Sequence, residues 1–107
     1  MKKLVLSLSI VAALAASAHA GETFEITIKD HRFSPSEIEI PANEQISLVV
    51  KNQDGTPEEF EGEDFDAEKV ISGNSEATIL VGPFEPGEYA FVGEFHEDSA
   101  KGKLIAK

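Results

Sequence analysis

The chain has 107 residues, no cysteine, and 20 acidic against 9 basic side chains for a formal net charge of −11, which gives room for one domain and one core with no disulfide to staple it. A field of that sign repels nucleic acid and anionic lipid and concentrates cations, so metal ions or basic protein surfaces are the partners to expect. Without cysteine there is neither a thiol nucleophile nor the thiolate a blue-copper centre requires.

In chain order the first element is a targeting segment. Lys2 and Lys3 form a charged start, Leu4 to Ala16 is an apolar run, and Ala18-His19-Ala20 supplies a small-x-small cleavage pattern. Residues 1–20 are therefore expected to be a signal peptide and residues 21–107 the exported domain. The apolar run is too short to span a bilayer, so no stable membrane insertion is expected once it is cleaved. Cleavage removes two of the nine basic residues and none of the twenty acids, which leaves seven against twenty and a net charge of −13. No cysteine sits at the cleavage point to carry a lipid, and the periplasm is the expected address.

Beyond residue 20 the hydrophobic pattern has period two. Phe24, Ile26 and Ile28 alternate with polar residues as a first strand. After a turn at Ser34-Pro35-Ser36, Ile38 and Ile40 form a second strand that Pro41 ends. Ile46, Leu48 and Val50 make a third, closed by Asn52-Gln53-Asp54-Gly55. Further strands are predicted around Glu59-Phe60, Lys69 to Ile71, Ala77 to Val81, Tyr89 to Val92 and Lys103 to Ile105, with Gly, Pro and Asn signals between them. The stretch from Glu61 to Glu68 shows no alternation and reads as a loop or a single helical turn. About seven or eight short strands predict an all-β sandwich.

Seven carboxylates fall in the eleven residues from Glu58 to Glu68. They do not make a calcium loop: a register starting at Asp64 puts Lys69 where the turn needs glycine and Ser75 where the bidentate glutamate belongs. They read as an acidic flank that gathers cations or docks a basic surface. Ser99 lies near His96 but has no oxyanion-hole motif beside it. No enzymatic activity is expected; a ferroxidase-like role would need a second metal site, which the sequence does not supply.

Phe33-Ser34-Pro35-Ser36-Glu37-Ile38, Pro41-Ala42-Asn43-Glu44, Leu48-Val49-Val50-Lys51-Asn52, Glu59-Phe60, and Pro86-Gly87-Glu88-Tyr89 through His96 to Gly102 together resemble the cupredoxin-like domains of bacterial periplasmic proteins. Within that family the chain resembles the small cupredoxin-like component found with iron-permease-type iron transport. The resemblance implies a Greek-key sandwich with four copper ligands at one end. Carried over position by position, the first histidine ligand falls at Glu58, the cysteine at Gly93, the second histidine at His96 and the methionine near Ser99 or Ala100. The sulfur ligands are gone. What the resemblance leaves is an oxygen-and-nitrogen set, His96 with Glu58, Glu94, Glu59 and Glu61, suited to iron or copper ions rather than to a Cu(I) thiolate site. His31, at a strand end beside Arg32, reads as a surface residue. The expected function is a periplasmic metal-binding accessory in iron or copper handling that delivers its ion to a permease or its periplasmic partner. The alternative is a metal-free protein-interaction module on the same scaffold.

Overall fold

The computed structural model describes residues 21–107, so the signal-peptide expectation for residues 1–20 lies outside the described residues. The described chain is all β except for one 3-10 turn, Glu94–His96. Nine strands run in the order β1 (Thr23–Lys29), β2 (Arg32–Ser34), β3 (Glu37–Ile40), β4 (Ile46–Asn52), β5 (Glu58–Gly62), β6 (Glu68–Ile71), β7 (Ser75–Val81), β8 (Gly87–Gly93) and β9 (Lys101–Ala106). They form two sheets, β2-β1-β4-β7 and β3-β9-β8-β5-β6, with β1 parallel to β4, β3 parallel to β9 and the other pairs antiparallel.

Alternation decides what each strand buries. Ile26 and Ile28 of β1, Ile46, Leu48 and Val50 of β4, and Leu104 and Ala106 of β9 point inward between the sheets. At the centre Phe33, Phe60 and Phe91 meet, with ring centroids 4.9–6.0 Å apart in edge-on and offset arrangements.

Two local readings of the sequence are corrected. β5 continues through Glu61 to Gly62 and β6 begins at Glu68, so only the middle of the predicted loop is a loop. Alternation there was hidden because both faces carry acids. The ninth strand, β2, is three residues long, too short to show a period, and is joined to β1 by the two residues Asp30 and His31.

Candidate metal centre

Glu58 opens β5 and shares its inward face with Phe60 two residues on. The residue is 1% exposed, and both of its carboxylate oxygens are engaged. Oε1 accepts the backbone N–H groups of Glu59 and Phe95, each at 2.9 Å, and Oε2 lies 2.7 Å from Nδ1 of His96. His96 ends the 3-10 turn that follows β8. Its ring is a quarter exposed, and among the described residues Nε2 makes no hydrogen bond and is not buried. A buried acid thus fixes one nitrogen of an imidazole and leaves the other facing water. The sequence could not establish whether Glu58 and His96 meet; the structure brings them into direct contact.

The other three acids named with His96 form a separate group on the outer face of the same sheet. Glu59 and Glu61 point away from the core, Glu68 stands directly opposite Glu61 in the β5–β6 ladder, and Glu94 comes from the 3-10 turn. Carboxylate oxygens of Glu59, Glu68 and Glu94 lie within 4.8 Å of one another. A carboxyl–carboxyl hydrogen bond with Glu94, with neighbouring charges adding, pushes Glu61 up to about 7. Its contact with Glu68 raises Glu59. Like charges placed opposite in a ladder are destabilising, so the fold tolerates stress here that a cation or a proton would relieve. Sequence reasoning did not single out Glu68, because its place beside these acids depends on the strand it pairs with and not on its neighbours along the chain. The hairpin register was the signal that could have found it.

A second residue missed is His31. Asp30 and His31 both have positive φ, 53° and 59°, as in a primed two-residue hairpin turn. The carboxylate of Asp54 holds that turn: Oδ1 accepts the N–H of Asp30 at 2.8 Å and Oδ2 that of His31 at 2.9 Å, which keeps Asp54 below its ordinary value. Asp54 is itself placed by buried Asn52, whose Oδ1 accepts its N–H and whose Nδ2 reaches the carbonyls of Thr56, Ile71 and Ser72. The hydroxyl of Ser99 donates to the carbonyl of His31 at 2.7 Å. The imidazole of His31 consequently stacks on that of His96, with centroids 3.5 Å apart and planes 12° from parallel.

The copper ion that the fold implies in its thiolate-ligated form does not fit these residues. A Cβ on Gly93 would lie 2.7 Å from the carboxyl carbon of Glu58 and 2.7 Å from Cβ of Ala100, so the place of a cysteine side chain is filled. Ala100 is fully buried and the Ser99 hydroxyl is engaged, which leaves no donor where the methionine falls. Imidazole nitrogen and carboxylate oxygen remain, and these suit harder and borderline cations.

An antiparallel-rich sandwich that carries a histidine and a buried acid at its loop end defines a cupredoxin-type scaffold without sulfur ligands. The chain belongs to the cupredoxin-like domain family, whose sequence profile matches residues 3–106. Over 81 residues, 76% of this chain, it is 42% identical to an uncharacterized protein of Rickettsia prowazekii (strain Madrid E), and the match spans 65% of that protein's length. Among solved structures it is similar to auracyanin A, a "blue" copper protein of Chloroflexus aurantiacus, with a TM-score of 0.71 and 15% identity, covering 81% of this chain and 100% of that one. It is also similar to the metal-binding domain of the Cu(I)-exporting P-type ATPase of Streptococcus pneumoniae D39, with a TM-score of 0.69 and 16% identity over 83% and 89% of the two chains. At these identities the likeness to the solved structures is one of fold.

Proposed function

We propose that this protein is an exported accessory domain that holds a metal ion, iron or copper, and passes it on, rather than a carrier of electrons. One observation carries the reading: buried Glu58 grips Nδ1 of His96 at 2.7 Å and leaves Nε2 as a donor. Metal-ligating histidines commonly give their other ring nitrogen to a carboxylate, which fixes the ring and raises its basicity. Glu58 then acts on the metal through His96, and the cluster of Glu59, Glu61, Glu68 and Glu94 raises the local cation concentration beside the site. The missing thiolate removes the preference for Cu(I), in keeping with Fe(II), Fe(III), Mn(II) or Cu(II) as cargo. The apolar leader argues for a periplasmic address, and the resemblance to iron-transport components argues for a permease or its periplasmic partner as receiver.

Titration of the purified protein with Fe(II), Cu(II) and Mn(II) under controlled oxygen tests the reading. It predicts one site whose affinity falls at least ~10-fold in His96→Ala; unchanged binding in that variant would reject it. A second reading, a metal-free docking module, is favoured by Phe95. That side chain is half exposed between Glu94 and the Glu97-Asp98 pair, a shape and charge that suit an apolar socket with a basic rim. Metal content after purification without chelator separates the two.

A further inference from the structure

The stack of His31 on His96 has no part in the function proposed so far, yet the fold is organised to make it. Left-handed backbone costs an ordinary residue about 1–2 kcal/mol. The two-residue primed turn is normally made by Asn-Gly or Asp-Gly, and here its second position is a histidine. Such conformations persist where surrounding structure over-determines them. At this turn the surroundings are the two oxygens of Asp54 on the N–H groups of Asp30 and His31, and the hydroxyl of Ser99 on the carbonyl of His31.

Packing does not account for the arrangement. Both imidazoles are partly exposed, so the stack buries little apolar surface, and a phenylalanine at position 31 would cover His96 better. What histidine adds is a nitrogen. Zinc-type bonds to histidine are about 2.0–2.1 Å long, so two nitrogens on one ion sit roughly 3 Å apart. The stack sets the two rings side by side, with centroids 3.5 Å apart. A bound ion lies in the plane of each imidazole that ligates it, so planes 12° from parallel do not yet converge. The His31 ring has to turn about its side-chain bonds to bring a nitrogen to an ion held by Nε2 of His96.

We propose that His31 is a second imidazole ligand of the His96 site, and that Asp54 is the positioning residue that holds it there. This rests on the reading of His96 as a ligand and deepens it. Two imidazoles move the preference of an oxygen-and-nitrogen site toward Cu(II) and away from Mn(II), following the order of divalent affinities.

The test is Cu(II) binding followed by electron paramagnetic resonance, in which each equatorial imidazole nitrogen splits the signal. Two variants separate the nitrogen from the fold: His31→Phe keeps a ring on His96, and His31→Asn keeps a residue that accepts left-handed backbone. The wild-type protein is expected to show two nitrogens. Both His31 variants should show one and bind Cu(II) at least ~10-fold more weakly. Asp54→Ala should reproduce that loss and Asp54→Asn should recover part of it, because one acceptor oxygen survives. A single nitrogen in the wild-type protein, with unchanged affinity in both His31 variants, overturns this inference and leaves His96 as a ligand. Equal binding by His96→Ala and wild type overturns the proposed function and this inference with it.

Discussion

The carboxyl carbon of Glu58 lies 2.7 Å from the point that a Cβ on Gly93 would occupy. The acid at 58 and the bare backbone at 93 are therefore one arrangement: each is possible in this packing because of the other.

Restoring a thiol at that position should consequently fail. Gly93→Cys forces an overpacked contact and is expected to cost about 1–3 kcal/mol, read as a lower urea midpoint. With Cu(II) it should give no intense thiolate-to-copper band in the visible. Clearing the carboxylate with Glu58→Ala in the same chain should relieve only part of that loss, since Cβ of Ala100 still lies 2.7 Å from the new Cβ.

Glu58 itself separates stability from binding. Glu58→Ala leaves the N–H groups of Glu59 and Phe95 and Nδ1 of His96 without their acceptor, and leaving buried polar groups unpaired costs about 1–3 kcal/mol. Glu58→Gln keeps the volume and one acceptor oxygen, so it should unfold at an intermediate midpoint. Its metal affinity should drop by about 10–100-fold, the usual effect of disturbing the partner of a ligating histidine.

The acid cluster gives a pH dependence of defined sign. Glu61 has an ordinary value of 4.5 and is pushed up to about 7 in the folded protein, first by its hydrogen bond with Glu94, with Glu59 raised in the same direction. The folded state therefore binds more protons than the unfolded state between those values. The resulting stability is fully present below pH 4.5 and is lost as pH rises through 7. The urea midpoint should be lower at pH 8 than at pH 5.5, and Glu61→Gln should flatten the difference. Asp54, held below 3.8 chiefly by the N–H of His31, contributes in the opposite sense and only on the acid side, where its share disappears as pH falls below that value.

Asn52→Ala should act at a distance. It removes the donor shared by the carbonyls of Thr56, Ile71 and Ser72 and the acceptor for the N–H of Asp54, at about 1–3 kcal/mol for the buried groups left unpaired. Since Asp54 carries the β1–β2 turn, the ring-current shifts that His31 and His96 impose on each other should diminish in the NMR spectrum of this variant.

Much of this was legible in the sequence because the signals were local. Period-two runs at Phe24–Ile28 and Ile46–Val50 announce strands, and the two-sheet sandwich follows from their number and spacing. His96 and Glu58 were found through the family resemblance, which fixes positions along the chain. His31 was read as a surface residue because its placement depends on the side chain of Asp54, 23 residues away, and on a hydroxyl 68 residues away, relationships that no local pattern encodes. Glu68 was missed for a milder reason: its neighbours across the ladder are set by strand register, and alternation was masked where both faces are acidic.

The bonds of Asn52 and Asp54 bear on timing as well as on shape. They link the β4–β5 loop, the β6–β7 turn and the β1–β2 turn into one assembled rim. Capture at a rim built in this way has little chain entropy to lose. If the protein holds and passes on an ion as proposed, arrival is then governed by diffusion and by attraction to the anionic surface, and the residence time by how readily a recipient competes for the ion.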